Sequence, residues 1–315
     1  MSNLVVGAYP ASPAHRVWNP NLEARFFEAL SMDRRIGSLE LPWSGSIHPH
    51  DDDWLKSNFP SDFQAIITSI PFVMVQISKN PKYGLASNDP EGRNQAIEDV
   101  KKILKAADDL NQYAGRKVVS HLELHSAPRV NGTPSDLAAS LTTLFEFEPD
   151  GPGILLEHCD AFIEAQIPEK GFLSLEDEIK AIEIAGIDAG ILINWGRSAI
   201  EFRNPDRVTE HIEIACSKRL LKGLIFSGAS DKETTFGPAW IDAHNPFRKS
   251  EKHKYGESDS LLTPERAHLA IRKAGSINLL GIKMGWVPSL EGTPNERVSM
   301  ISSALDELDY GLLNR

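Results

Sequence analysis

Several short apolar runs in this 315-residue chain carry polar residues that burial alone does not explain. In His121-Leu122-Glu123-Leu124-His125 the leucines alternate with ionisable groups. Successive strand residues point to opposite faces, so His121, Glu123 and His125 share the face turned away from the leucines. The same parity isolates Glu40 in Ser38-Leu39-Glu40-Leu41 and Gln76 in Met74-Val75-Gln76-Ile77. Three further runs end on Glu157, Asn194 and Lys283, and Ser227 follows a fourth. Carboxylates and an ammonium in apolar strands are costly unless paired or put to use. Groups held in that way suit proton transfer and the stabilisation of a developing oxyanion. Glu157, Lys283, Glu123 and Glu40 are therefore the expected catalytic groups. His125, Asn194, Ser227, His244 and Trp286 are the expected substrate contacts. Gln76 reads as a partner for loop amides, and His121, deeper in its run, as a core histidine.

The apolar runs alternate with amphipathic segments along the whole chain. Strands are expected at residues 4–6, 36–41, 72–77, 117–124, 153–156, 189–193, 222–226 and 278–282. Helices are expected at 22–30, around 62–69, and at 91–113, 135–145, 174–185, 206–216, 263–274 and 295–308. Asn88-Asp89-Pro90 and Thr263-Pro264-Glu265 are helix-start signals, and Ser174 with Asp177 suggests a cap. Eight strand-then-helix units imply parallel strands joined by crossover helices, and close naturally into an α/β (β/α)₈ barrel, a TIM barrel, over residues 1–315. No glycine-rich phosphate loop follows any strand, which argues against an open nucleotide-binding sheet. The polar residues then face the lumen at the C-terminal strand ends, where this fold keeps its active sites. Residues 227–262 form a loop too long for a plain connection, expected to lie over the strand ends.

Composition narrows the partners. The chain is 41% hydrophobic and 24% charged with a formal net charge of −11, which disfavours nucleic acid and anionic membranes. No segment approaches the roughly 20 apolar residues of a membrane span, and the first nine residues lack the pattern of a signal peptide. Cys159 and Cys216 form no disulfide or zinc framework. These features suggest a cytoplasmic protein acting on a small molecule, alone or as a homo-oligomer.

The segment Gly84-Leu85-Ala86-Ser87-Asn88-Asp89-Pro90-Glu91-Gly92-Arg93, before a helix running to Ala106-Ala107, resembles the stretch after the third strand in tagatose epimerase and hydroxypyruvate isomerase relatives. With the eight-unit order, the chain is similar to a bacterial branch of the xylose isomerase-like barrel superfamily of sugar isomerases and epimerases. Metal-dependent members hold a divalent cation through Glu, Asp, His and Glu at the ends of strands five to eight. Those positions carry Glu157, Asn194, Ser227 and Lys283 here, and a further family histidine falls on Arg197. A lysine in place of a carboxylate is electrostatically wrong for a cation, so no cofactor is expected there. A relocated Mn or Zn site drawn from Glu123, His125, Glu157, His158, Asp160 and His244 is the alternative.

The resemblance implies proton transfer beside a carbonyl of a sugar or sugar derivative, with Glu157 as base. Lys283 and Arg197 would polarise the carbonyl, or Lys283 would form a Schiff base. Glu40 or Glu123 would act as second acid or base, and His244 would close from the long loop. Ser227-Gly228-Ala229-Ser230 and Met284-Gly285-Trp286 are candidate phosphate loops, and Trp195, Trp240 and Trp286 candidate stacking surfaces. A lyase or dehydratase on a keto-sugar and a non-catalytic sugar-binding barrel stay open as alternatives.

Overall fold

A computed structural model describes residues 3–15 and 17–314, so Met1 and Ser2 of the inspected N-terminus lie outside the described residues. Eight parallel strands close on themselves in sequence order. They are β1 (Leu4–Gly7), β2 (Ile36–Pro42), β3 (Gln64–Thr68), β4 (Val119–Leu124), β5 (Gly153–His158), β6 (Ala189–Asn194), β7 (Leu221–Phe226) and β8 (Leu279–Lys283). β1 pairs with both β2 and β8, with Gly7 opposite Lys283. The outer layer comprises α1 (Pro20–Ser31), α2 (Asp52–Asn58), α3 (Ile70–Lys79), α4 (Pro90–Ala114), α5 (Pro134–Phe147), α6 (Leu175–Ala185), α7 (Trp195–Phe202), α8 (Val208–Ser217), α9 (Pro264–Ala274) and α10 (Pro294–Leu313). Among the described residues, no helix is long and apolar enough to cross a membrane.

Local chemistry sets the helix starts. Asp89, Thr133, Ser174 and Thr263 each accept a backbone N–H of the first turn, three of them followed by proline. Thr293 and Glu296 form a reciprocal capping box ahead of α10. The anticipated Ser174 cap is present, its hydroxyl accepting from Asp177 N.

The third unit departs from the sequence expectation. Residues 72–77, expected as a strand, lie in α3, and residues 62–69, expected as a helix, hold β3. The run Phe72–Ile77 is β-branched and apolar, yet Pro71 stands in the first turn of a helix that buries only Ile70 and Val73. Pro71 was the overlooked start signal. Gln76 consequently sits half-buried on a helix and does not face the lumen. The short helices α2 and α7 were not anticipated.

Two lumen layers position the site. Val5, Ile66, Leu155, Leu192, Ile225 and Leu279 pack together as an apolar plug, a separate cluster from the core between strands and helices. Two residues further along five of these strands stand Gly7, Thr68, Glu157, Asn194 and Ser227, and Lys283 ends β8 at the same level, opposite Gly7. The plug closes the lumen, so the polar layer faces only the C-terminal mouth. His121 lies at the other end of β4, half-buried beside Ser120.

Candidate active site

Glu157 is the hub. Its Oε2 lies 2.6 Å from Arg197 Nη1 and 2.9 Å from His125 Nε2. Its Oε1 accepts from Asn194 Nδ2 at 3.1 Å and lies 3.7 Å from Lys283 Nζ. Lys283 Nζ is 2.5 Å from Glu40 Oε1. All these side chains are buried, with Glu40, Glu123, Glu157, Asn194, Arg197 and Lys283 at 0–1% exposure. Glu157 and Lys283, expected as catalytic groups from separate strands, form an ion pair.

Each contact has a local origin. Asn194 ends β6 and caps α7, its Oδ1 accepting from Gly196 N and Arg197 N. The helix therefore starts with no intervening loop and turns Arg197 back over Glu157. Arg197 Nε donates to Asp242 Oδ2 at 3.0 Å, and Lys170 Nζ approaches the same oxygen at 3.3 Å. Asp242 and His244 come from the long loop after β7 and reach Arg197 and Ser227 at the strand ends. His244 Nδ1 lies 2.9 Å from Ser227 Oγ and 3.3 Å from Asp242 Oδ1. Ser69, just past β3, contacts His125 Nδ1 at 3.0 Å. Gly7 is small by necessity: a Cβ there would meet Lys283 Cγ at 2.9 Å and Glu40 Oε2 at 3.0 Å.

The charges are unequal in kind. Burial opposes ionisation of Glu157, but Arg197 and Lys283 outweigh it and hold its carboxyl well below the usual range. Burial, reinforced by the charges of Glu40 and Glu157, pushes Glu123 well above that range. Among the described residues, neither Glu123 oxygen has a hydrogen-bonding partner. Glu40 is also raised, by burial and Glu157's charge against the pull of Lys283. Burial works against Lys283's charge, but Glu157 and Glu40 keep its ammonium well above the ordinary lysine range. Burial lowers His125 to about 4, so its imidazole is neutral at pH 7.

Above this layer lies a mouth cavity of about 580 Å³, lined among others by Tyr9, Lys170, Arg197, His244 and Trp286. Tyr9 roofs the ring, with Lys283 Nζ 5.7 Å from its ring centre. Trp286 donates Nε1–H to Leu290 O beside the cavity, whereas Trp195 is fully buried in the core and Trp240 packs under Arg203. Three of the amides expected to hold phosphate are already engaged. Gly228 N donates to Asn245 O, Gly285 N to His244 O, and Trp286 N to Pro10 O.

The residues at the family's metal position do not suit a divalent cation. Asn194 presents its N–H to Glu157, and two cations already share that carboxylate. The relocated set does not converge either. His158 points out of the barrel to Glu178 and Glu201, Asp160 accepts the amides of Glu169 and Lys170, and His244 stays with Ser227. Sequence reasoning missed Tyr9, Ser69, Lys170 and Asp242. Asp242 was within reach, two residues before His244 in the loop already singled out.

Comparison with known proteins places this geometry. A family model described as a domain of unknown function, DUF4862, matches residues 5–300. An uncharacterized protein of Salmonella typhimurium, STM3670, is 34% identical over 249 residues, 77% of this chain and 78% of that one. A xylose isomerase domain protein from Alicyclobacillus acidocaldarius superposes with a TM-score of 0.54 at 13% identity, covering 99% of each chain. The 3-keto-D-glucoside 4-epimerase YcjR from E. coli superposes with a TM-score of 0.54 at 11% identity, covering 91% of this chain and 93% of that one. The fold is that of the xylose isomerase-like TIM barrels, as the sequence resemblance implied.

Proposed function

The chain belongs to the DUF4862 family, and for this member we propose a sugar isomerase or epimerase in which Lys283 and Arg197 take the electrostatic place of a divalent ion. The observation that carries the reading is the closed cluster of Glu40, Glu123, Glu157, Lys283 and Arg197 under the barrel mouth. Such a cluster is an expensive way to gain stability alone, because desolvation offsets much of the attraction. Perturbed acids and bases gathered in one cleft are a mark of chemistry.

The roles follow from the surroundings of each group. The sequence reading gave Glu157 the part of base, but a carboxylate ion-paired with Arg197 and Lys283 and hydrogen-bonded by Asn194 is a weak one. It suits the work of fixing Arg197 and Lys283. Glu40, raised and beside Lys283, is the better proton acceptor at the carbon next to the carbonyl. The ammonium of Lys283 stabilises the enolate oxygen as it forms. Held protonated by two carboxylates, it suits a point charge better than a Schiff-base amine. Glu123, whose ionisation is opposed by burial and by its acidic neighbours, returns a proton. The cavity above accommodates a sugar-sized carbohydrate against Tyr9 and Trp286. The epimerase among the structural neighbours supports the reaction class.

One observation favours elimination instead: Glu123, its pKa raised by burial and its oxygens without a hydrogen-bond partner among the described residues, also suits a general acid for a leaving hydroxyl. A panel of ketoses and aldoses incubated in D₂O separates the readings. Deuterium entering the carbon beside the carbonyl supports the isomerase, and loss of water supports the dehydratase. Binding with neither leaves a sugar-binding barrel.

A further inference from the structure

Outside the lumen, at the same level as the mouth, two histidines converge on one carboxylate. His158, the last residue of β5, points away from Glu157 into the layer of α6, α7 and α8. Its Nε2 lies 3.1 Å from Glu201 Oε2 on α7. His211 on α8 brings its Nε2 to 3.3 Å from Glu201 Oε1. The two rings stand edge to face at 87°, with centroids 4.7 Å apart. One ligand atom from each of the three residues lies within 4.8 Å of the others.

We infer that His158, Glu201 and His211 form a zinc-binding site that ties strand β5 to helices α7 and α8. Tetrahedral zinc with bonds of about 2.0–2.1 Å has ligand-to-ligand edges of about 3.3 Å; each imidazole stands at about that distance from one of the two Glu201 oxygens, and a small turn of the carboxylate would present one oxygen to an ion between the rings. The far nitrogens carry the partners that metal-bound histidines use to fix their tautomer. His158 Nδ1 is 2.7 Å from Glu178 Oε2, and His211 Nδ1 is 3.0 Å from Ser198 Oγ. Glu178 is itself held by Ser126 Oγ at 2.5 Å. A dication with two neutral imidazoles balances Glu178 and Glu201, the carboxylates in contact with these histidines. Two nitrogens and one carboxylate oxygen are a donor set zinc prefers, with water completing the fourth position. Glu201 keeps 9% of its side chain exposed, which gives an ion a way in. The site lies directly behind the cluster in the mouth, since His158 follows Glu157 and Ser198 follows Arg197. Bound zinc therefore braces both partners of that ion pair from outside the lumen.

The test is a Zn²⁺ titration of chelator-dialysed full-length protein against a chromophoric competitor, paired with Co²⁺ substitution. The wild type is expected to bind one equivalent, to show the visible absorption of tetrahedral Co²⁺, and to melt at higher temperature with Zn²⁺. His211→Asn and Glu201→Gln should weaken binding at least about 100-fold, and Glu178→Gln about 10–100-fold. Glu157→Gln should leave zinc affinity unchanged, which separates this site from the mouth. Absence of stoichiometric zinc and of the cobalt spectrum in the wild type overturns the proposal, whatever the variants do. So does tight binding that survives both Glu201→Gln and His211→Asn or is lost with Glu157→Gln.

Discussion

Replacing Lys283 by methionine removes one charge from the centre of the cluster and keeps most of its volume. The ammonium stands 2.5 Å from Glu40 and 3.7 Å from Glu157. At an effective dielectric constant of about 20, unit charges at those separations attract by about 6–7 and 4–5 kcal/mol. Desolvating the ions offsets most of that sum, but removing one partner leaves carboxylates uncompensated and costs about 3–5 kcal/mol. Glu157 retains Arg197, His125 and Asn194, so the loss falls on Glu40. Without Lys283, folded Glu40 has a pKa further above its unfolded value. Its penalty is therefore largest at high pH and shrinks as pH falls through the folded pKa. Urea unfolding followed by tryptophan fluorescence should show a lower midpoint for Lys283→Met at unchanged slope, narrowing from pH 8 to pH 5. Glu40→Leu/Lys283→Met should recover at least about 2 kcal/mol of the deficit, since an apolar pair replaces a buried ion pair at little cost. A single variant that loses under about 1 kcal/mol, or a double variant no more stable than the sum of its singles, refutes the electrostatic account.

His158 gives a pH dependence of its own. Burial opposes its charge, but Glu178 and Glu201 raise its pKa to about 10, above the unfolded value of about 6.5. In metal-free protein its stabilisation is full below about pH 6.5 and disappears as pH rises through about 10. Urea midpoints measured from pH 6 to 10 should fall for the wild type and stay flatter for His158→Gln; equal slopes contradict the assignment. Gly7→Ala should displace the Lys283–Glu40 pair, costing about 1–3 kcal/mol by strain and lowering kcat/KM. Thermal melts and kinetics unchanged in Gly7→Ala would show that the pair has room to move.

Much of the fold was legible because parallel barrel strands are short, apolar and regularly punctuated. The third unit failed where two apolar runs stood side by side, and hydrophobicity alone does not tell a buried strand from a half-buried helix. Only Pro71 marked the difference. In the site, parity placed Glu40, Glu123, Glu157, Asn194 and Lys283 on the lumen face, and the structure joins Glu40, Glu157, Asn194 and Lys283 through direct contacts, with Glu123 within electrostatic reach. Parity carries no information about which charge touches which. Glu157 read as a base because its neighbours were unknown, and Arg197 from α7, Asn194 from the strand before it and Lys283 alter that role. The cluster of His158, Glu201 and His211 left no sequence signal, since its members come from three elements brought together only by closure of the barrel. His158 was seen, but with the wrong partners, because a strand residue adjacent to Glu157 must face the other way.

The measurement that bears most directly on the account is solvent deuterium exchange into a bound sugar, followed by NMR, with wild type, Glu40→Gln and Glu157→Gln compared on the same substrate. The account predicts exchange at the carbon beside the carbonyl in the wild type. In Glu40→Gln the exchange rate should fall about 10²–10⁴-fold while the sugar still binds. Glu157→Gln should weaken exchange through displaced Arg197 and Lys283 rather than through loss of the base. Exchange at the wild-type rate in Glu40→Gln, or a wild type that binds every sugar tried without exchange, would contradict it.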